Sequence, residues 1–276
     1  MSETFTIVGA RGYIGTVLTT ALRSAGHTVR TRSSREDGQG DRGHVIYVSG
    51  VAWGAEDRPA EAYELHVEGV RRALENPRIE SLTYVSSTRV YDGAPATTED
   101  TPLTIRPARP QDVYTISKLA GENMVLSDPA GRGRVVRLSN VFGASTRSGL
   151  FLSQLLRAAV REGVVRVHTS RDSAKDYVSA VDVARLIPEI ARRGRERLYN
   201  IARGENTTNA SILDAIAHAC GARIEIDTDA RTAITPPIAI SRLTAEFSAP
   251  QERVEDAIPS LLRAFAQAER VSRVGA

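Results

Sequence analysis

Tyr114 and Lys118 are the residues whose types and spacing most clearly indicate chemistry. They stand four residues apart in the segment Tyr-Thr-Ile-Ser-Lys, so on a helix they share one face. A free phenol has a pKa of about 10, too high for efficient proton transfer near neutrality. A neighbouring ammonium group stabilises the phenolate and lowers that pKa. Only two of the 36 basic residues are lysines, Lys118 and Lys175. The pair therefore predicts an acid/base tyrosine with an activating lysine.

A run of hydroxyl side chains, Ser86-Ser87-Thr88, ends a predicted strand upstream of this pair. A hydroxyl at that place can orient a substrate carbonyl or alcohol towards Tyr114. Serine-rich strand ends are also common as plain turns. In combination with the helix that carries Tyr114 and Lys118, however, the pattern predicts Ser87 as the third member of a catalytic group.

Three glycines, Gly9, Gly12 and Gly15, separate a β-rich run at 4–8 from apolar residues at helical spacing over 13–25. Glycine permits a tight turn and lets the backbone approach a pyrophosphate, which then lies at the positive end of the helix. This context predicts a dinucleotide-binding loop. A glycine turn that serves only close packing of strand and helix is the alternative.

The end of the predicted second strand, residues 28–32, bears on the choice of cofactor. NAD-selective sites usually place a carboxylate there to bind the adenosine ribose, but this chain has no acid before Glu36. Guanidinium groups pair well with phosphate. We therefore favour NADP(H), with NAD(H) as the alternative. The residues able to meet a ribose phosphate, unless they are solvated surface groups, are Arg11, Arg32, Ser33 and Arg35.

Strands and helices alternate along the chain, which is typical of a parallel sheet covered on both faces. We predict an α/β fold, a Rossmann-type doubly wound parallel sheet with a small C-terminal α/β substrate lobe. Residues 1–143 are expected to form mainly the dinucleotide-binding domain, to which some later segments return, and residues 144–276 mainly the substrate lobe. Predicted strands are 4–8, 28–32, 45–48, 81–86, 134–138, 165–168, 198–202 and 223–226; predicted helices are 13–25, 60–74, 150–162, 181–193, 209–220 and 251–268, with one more starting at Asp112.

The composition argues against several classes of protein. A net charge of +3 from scattered arginines disfavours a nucleic-acid partner. No apolar run reaches the roughly 18 residues of a membrane helix, and the first residues lack the pattern of a signal peptide. The single cysteine, Cys220, suits a reducing compartment. We expect a cytoplasmic protein without a metal site, a membrane partner or a nucleic-acid partner.

Seven segments, in order along almost the whole chain, resemble the extended short-chain dehydrogenases/reductases. The specific likeness is to the NAD-dependent epimerase/dehydratase group, which acts largely on nucleotide sugars. The segments are GARGYIG, VIYVSG, YVSSTRVYDG, YTISKLAGE, VVRLSNVFG, AKDYVSAVDVA and LYNIA.

The resemblance implies roles for particular residues and a homodimer. Tyr114 becomes the acid/base, Lys118 its activator and Ser87 the hydroxyl partner. Asn140 matches an asparagine that contacts the nucleotide diphosphate, unless it caps a turn or helix, and Lys175 stands where relatives usually have arginine. The candidate substrate-binding residues are Thr88, Arg89, Asn140 and Lys175. The candidate cofactor-binding residues are Gly9, Arg11, Gly12, Tyr13, Ile14, Gly15, Arg32, Ser33, Arg35, Ser49, Gly50, Tyr114 and Lys118.

Three features depart from the family pattern. The strand that usually follows the second one is shortened or missing, because polar residues occupy 33–43. His66 replaces an asparagine that supports the active-site lysine and water, so it either takes that role or faces solvent. The sugar 4,6-dehydratases carry Thr-Asp-Glu where this chain has Ser87-Thr88-Arg89. That dehydration chemistry is therefore disfavoured, and Arg89 suits an anionic or polar substrate or a surface role.

Three functions are consistent with these residues. The first is an NADPH-dependent reductase of a nucleotide-linked keto sugar, in which Tyr114 supplies the proton. The second is a nucleotide-sugar epimerase that oxidises and re-reduces its substrate with a bound cofactor. The third is a non-catalytic NADP-binding regulatory protein, which the intact group of Ser87, Tyr114 and Lys118 argues against.

Overall fold

The computed structural model describes residues 2–51, 54–146 and 149–274. The chain forms two compact units. The first comprises Met1–Ser139, Val181–Ile201 and Ala239–Ala249, and the second comprises Asn140–Ala180, Ala202–Ile238 and Pro250–Ala276. The assignment of the cofactor to the first unit and of the substrate to the second stays a prediction.

The elements are numbered along the chain. The strands are β1 (Thr4–Val8), β2 (Thr28–Arg32), β3 (Gly43–Tyr47), β4 (Ile79–Ser87), β5 (Gly133–Leu138), β6 (Asn140–Phe142), β7 (Val164–Thr169), β8 (Ala174–Ser179), β9 (Leu198–Ile201), β10 (Asn206–Thr208) and β11 (Arg223–Arg231). The α-helices are α1 (Tyr13–Ser24), α2 (Pro59–Tyr63), α3 (Gly69–Leu74), α4 (Val113–Leu126), α5 (Phe151–Glu162), α6 (Ala180–Arg193), α7 (Asn209–Cys220), α8 (Ser241–Thr244) and α9 (Val254–Val274).

The first unit is built on a six-stranded sheet in the order β2-β1-β3-β4-β5-β9, with every neighbouring pair parallel. Leu82 of β4 is buried in a cluster with Val70 of α3 and Val125 of α4. Its neighbour Ser81 donates a hydrogen bond to the carbonyl of Ala191 in α6 at 3.1 Å. Because successive side chains of a strand point to opposite faces, helices cover both faces of the sheet. The predicted doubly wound Rossmann-type fold is confirmed.

The strand order reverses beside β1, because β2 lies on one side of it and β3 on the other. In open α/β sheets, ligands bind at the carboxyl ends of the strands next to such a switch point. Gly9 follows β1 there with a φ of 94°. A Cβ on Gly9 would lie 2.8 Å from the backbone nitrogen of Ser49, which follows β3. The two loops are therefore in contact at the position where the fold binds ligands.

The sheet ends at β2, and residues 33–42 form no strand beyond it. The prediction that the next strand of the family pattern is shortened or missing is confirmed. The segment is instead held by Arg32, whose guanidinium binds the carboxylate of Asp41, and by the amide of Asn76, which donates to the carbonyls of Gly38 and Asp41. A polar segment with too few apolar side chains for a strand thus folds as a loop tied down by hydrogen bonds.

The helix predicted over 60–74 is interrupted. Residues Glu64–Glu68 form a π-helical turn between α2 and α3. A π turn has a wider hydrogen-bonding pattern than an α turn and often occurs at functional sites. The hydroxyl of Tyr47 donates to the carbonyl of Leu65 at 2.6 Å, and His66 is completely buried. The prediction of one continuous α-helix was therefore wrong at this turn.

The second unit has its own apolar core, in which α5, α7 and α9 pack against β7 and Tyr177 of β8. Its strands form a three-stranded sheet in the order β10-β8-β6 and a parallel pair of β7 and β11. The strands β6, β8 and β10 were not predicted. Two of them have only three residues, too few to show an alternating pattern.

Among the described residues, no helix has the length and apolar character needed to cross a bilayer. The same part of the chain contains no cluster of three or more His, Cys, Asp or Glu side chains able to hold a metal ion. Cys220 is exposed.

Candidate active site

The helix α4 turns one face towards the sheet. Its buried residues recur at the spacing of a single helical face and are Tyr114, Ser117, Lys118, Gly121, Glu122 and Val125. Ser87 is the last residue of β4 and is in register with Leu138 of β5. The helix packs on β4, and this contact brings Ser87, Tyr114 and Lys118 to the carboxyl end of the sheet.

Tyr114 is 9% exposed, and its phenol is hydrogen-bonded to the side chain of Ser87. Burial raises the pKa of Tyr114, while the bond to Ser87 and the charge of Arg89 act in the opposite direction. The guanidinium carbon of Arg89 lies 4.5 Å from the centre of the Tyr114 ring. With its pKa above the ordinary value of 10.0, the phenol is protonated at neutral pH and can donate a proton.

Lys118 lies on the same buried face of α4 as Tyr114. Its Nζ donates to the carbonyl of Val85 at 2.9 Å and lies 4.8 Å from the centre of the Tyr84 ring. Burial lowers the pKa of Lys118 to about 7, and the carboxylate of Glu122 opposes that change. A lysine that titrates near neutrality gains and loses its charge within the working range of an enzyme, which is typical of a functional position.

His66 does not face solvent, so the solvent-facing alternative was wrong. Its Nε2 accepts a hydrogen bond from the backbone of Val51 at 3.1 Å, which leaves the proton on Nδ1, 2.8 Å from the hydroxyl of Ser117. Burial and the charge of Lys118 lower the pKa of His66 to about 2. A neutral imidazole therefore joins the loop after β3 to α4. A Cβ on Gly50 would lie 2.7 Å from this Nε2.

A buried polar network supports the strand and helix that carry the site. Arg137 of β5 donates three hydrogen bonds to the carboxylate of Glu122, at 2.7 to 3.2 Å. It also donates to the hydroxyl of Tyr91 at 2.8 Å, which in turn donates to Asn200 at 2.9 Å. Tyr91 ends the 3₁₀ turn Thr88–Tyr91, so this network fixes the segment that follows Ser87.

The glycine turn at the switch point fits a dinucleotide. A Cβ on Gly15 would lie 2.3 Å from the carbonyl oxygen of Gly9, so only glycine lets α1 begin this close to the turn. At Gly12 an added Cβ would meet only that oxygen, at 3.4 Å, which leaves room for a ligand to approach the backbone. The first turn of α1 contains no acidic residue, and its positive end suits a pyrophosphate.

Arg32, predicted to meet a ribose phosphate, is held elsewhere. Its Nε and Nη2 bind both carboxylate oxygens of Asp41, at 2.6 and 2.7 Å, and its side chain is 7% exposed. Arg35 is 69% exposed, 3.5 Å from Glu61, and Arg11 is exposed at the glycine turn. The paired Arg32 no longer supports a preference for NADP, which rests on Arg11 and Arg35.

Five further predicted residues, Ser33, Ser49, Thr88, Asn140 and Lys175, lie in three places. The hydroxyl of Ser49 donates to that of Ser34 at 2.9 Å, and the backbone of Ser33 donates to the carboxylate of Glu36 at 3.1 Å. Thr88 begins the 3₁₀ turn after Ser87. The last two lie in the second unit, where the amide of Asn140 donates to the carbonyl of Asp176 at 2.8 Å and the Nζ of Lys175 lies 5.6 Å from the ring centre of Phe151.

Sequence reasoning missed two residues that contact or charge-stabilise the predicted site residues. Ser117 links His66 to the carbonyl of Tyr114, and Glu122 sustains the charge of Lys118. Glu122 stands four residues after Lys118, so the spacing of one helical face could have identified it. The partner of Arg32, Asp41, comes from a loop whose path no sequence pattern indicated.

A doubly wound sheet with a glycine turn at its switch point, together with a buried Tyr-x-x-x-Lys helix beside a serine, defines a class. The protein is an NAD(P)-dependent enzyme of the extended short-chain dehydrogenase/reductase type. Comparison with known proteins then gives the family. Residues 5–202 match the family model described as the NAD dependent epimerase/dehydratase family. The chain belongs to that family.

Curated relatives have different activities. The chain is 28% identical to a dTDP-4-dehydrorhamnose reductase of Mycobacterium tuberculosis over 237 residues, which are 80% of this chain and 77% of the relative. It is 27% identical to a dTDP-glucose 4,6-dehydratase of Streptomyces griseus over 150 residues. That match covers 52% of this chain and only 44% of the dehydratase.

Solved structures confirm the fold along nearly the whole chain. RMD from Pseudomonas aeruginosa, complexed with NADPH, has a TM-score of 0.81 at 20% identity and covers 97% of this chain and 99% of its own. The dTDP-glucose 4,6-dehydratase from Bacillus anthracis, in complex with NAD, has a TM-score of 0.80 at 17% identity and covers 98% of both chains. Both nicotinamide cofactors thus occur among proteins of this fold.

Proposed function

We propose that this enzyme reduces a keto group of a nucleotide-linked sugar with NADPH, and that Tyr114 donates the proton. The observation that carries the proposal is a buried tyrosine, hydrogen-bonded to Ser87, whose pKa lies above the ordinary value. Such a phenol is a proton donor at neutral pH, whereas an enzyme that begins by oxidising an alcohol needs a base there.

The nicotinamide cofactor, when bound, supplies the hydride. The glycine turn, with Gly9, Gly12 and Gly15, would hold its pyrophosphate, and Lys118 would hydrogen-bond its ribose. The Ser87 hydroxyl orients the substrate carbonyl towards the phenol. Tyr114 gives its proton to the carbonyl oxygen, so the carbonyl becomes an alcohol.

The preference for NADPH is supported by the exposed Arg11 and Arg35 and by the absence of a carboxylate in β2. The reductase relative supports the direction of the reaction. Epimerisation is the second candidate, since Tyr114 would then act as base and afterwards as acid at the same position. A cytoplasmic homodimer is proposed from the family pattern, and light scattering on the purified protein measures the oligomeric state.

Two measurements test the proposal. The nucleotide released by denaturing freshly purified protein is identified first; an empty protein that prefers added NADPH is expected, whereas tightly retained NAD(H) would favour epimerisation. NADPH oxidation is then followed with dTDP-4-dehydrorhamnose, the substrate named for the reductase relative, as the first member of a panel of keto sugars. A Tyr114→Phe variant should lose nearly all turnover but still bind NADPH. Full activity of that variant would refute the mechanism.

A further inference from the structure

Arg89 differs from most of the arginines around it. Its side chain is exposed, and among the described residues no carboxylate forms an ion pair with it. Its contact is instead the face of Tyr114, with the guanidinium carbon 4.5 Å from the ring centre. Arginine binds aromatic faces through its charge and its flat shape. Within the part of the chain that the structure describes, Arg89 is the exposed cation that contacts the Tyr114 ring, and its guanidinium packs on that ring.

The backbone of Arg89 is fixed by the same group. Its N–H donates to the Ser87 hydroxyl at 3.2 Å, as the cap of the 3₁₀ turn Thr88–Tyr91. Tyr91, two residues later, is buried and bonded to Arg137 and Asn200. The segment that carries Arg89 is thus anchored on both sides, and its place over Tyr114 follows from that anchoring.

The other ionisable groups near Tyr114 give it little permanent charge. His66, 5.7 Å away in an edge-on contact, is neutral because its pKa falls to about 2. Tyr84, from β4, keeps its proton because burial raises its pKa. Lys118 loses its charge as the pH rises through its pKa of about 7, and its Nζ is hydrogen-bonded to the carbonyl of Val85. Arginine remains charged over this whole range.

We propose that Arg89 is a positioning residue for Tyr114. The guanidinium of Arg89 packs on the phenol ring and supplies a permanent positive charge, which stabilises the phenolate left after proton donation. This role rests on the proposed function of Tyr114 as the acid. It differs from the substrate-binding role predicted for Arg89 from the sequence. In the reduction, the charge favours release of the proton to the carbonyl oxygen and continues to act when Lys118 is neutral.

The test is a titration of Tyr114 in the intact protein without substrate or added cofactor. Tyrosine labelled with carbon-13 at Cζ gives eight signals, one for each tyrosine in the chain, and the Tyr114 signal is the one absent from Tyr114→Phe. Arg89→Gln is expected to move the Tyr114 midpoint up by about one pH unit, as loss of a neighbouring opposite charge does. Arg89→Lys should restore much of the difference.

Arg78→Gln is the matched control. Arg78 is exposed and immediately precedes β4, whereas Arg89 follows the same nine-residue strand, which puts the two charges roughly 30 Å apart. The titration midpoint of Tyr114 in Arg78→Gln should equal that in the wild type, and circular dichroism confirms that each variant folds. Equal midpoints in Arg89→Gln and wild type, or a Tyr114 that stays protonated in both throughout, would overturn the proposal. A failed reductase assay with a shifted midpoint would instead count against the proposed function alone.

Discussion

Lys118→Met is expected to change how the stability of the protein depends on pH. An unfolded chain keeps this lysine protonated up to a pKa of about 10.5, whereas burial lowers the folded-state pKa to about 7. Between those values the unfolded chain binds more protons than the folded one, so the stability of the folded protein rises with pH. Below pH 7 both states are protonated, and the folded state bears the full cost of a buried ammonium group.

The expected magnitude follows from the difference between the two pKa values. One proton of difference corresponds to roughly 1.4 kcal/mol for each pH unit. The wild type should therefore gain stability relative to Lys118→Met by about that much per unit above pH 7, and by on the order of 3 to 5 kcal/mol over the whole interval. Methionine also leaves the Val85 carbonyl without its donor, which costs about 1 to 3 kcal/mol at every pH. Only the slope of the stability difference against pH therefore reports the shifted pKa of Lys118.

Urea unfolding of both proteins at several values between pH 6 and about 9.5, below the range in which tyrosines ionise, measures this slope. Subtracting one curve from the other removes the titration of every other group. Arg78→Met removes an exposed cation and serves as the control, since an arginine stays charged throughout and the difference should be constant. A difference between wild type and Lys118→Met that does not change with pH would refute the buried, easily deprotonated lysine.

Further predictions concern the glycine turn and the buried network. Gly15→Ala should weaken NADPH binding at least tenfold in a fluorescence titration, because the added Cβ would lie 2.3 Å from the carbonyl oxygen of Gly9. Gly40→Ala is the control and should bind NADPH normally, since there is open space around Gly40. Glu122→Gln should cost about 3 kcal/mol in urea unfolding by leaving the Arg137 guanidinium buried without its carboxylate; replacing both by methionine should restore most of that loss. Tyr91→Phe should cost about 1 to 3 kcal/mol in the same assay, since Asn200 loses its donor. A loss below about 0.5 kcal/mol would show that the network contributes little.

The parts of the fold that the sequence predicted well are those with a local signal. The strand 4–8, the glycine turn and α1 form a unit whose apolar spacing and turn residues agree, and the structure reproduces it within one residue at the end of the helix. Tyr114 and Lys118 were identifiable because residues four apart lie on the same face of any α-helix. These features depend on neighbours in sequence.

Features that depend on distant residues were not predictable. Arg32 looked available for a phosphate, but a loop folds back and brings Asp41 to it. The interruption of the helix at Glu64–Glu68 depends on Tyr47, which donates to a carbonyl within the π turn. The short strands of the second unit exist because they pair with β8, and three residues carry no pattern of their own. Tertiary contacts override local preference in each case.

The π turn that contains His66 has a consequence for how the segment from α2 to α3 tolerates changes in length. Such a turn amounts to one residue inserted into a helix, and each residue of an α-helix advances by about 100°. Deleting one residue from Glu64–Glu68 would let the segment from α2 to α3 become a regular helix. Ala62 and Val70, both fully buried, would then be seven residues apart, about 20° from facing the same side. The buried faces of α2 and α3 should therefore survive the loss of that one residue, whereas the wider turn whose Leu65 carbonyl accepts a hydrogen bond from Tyr47 would be lost.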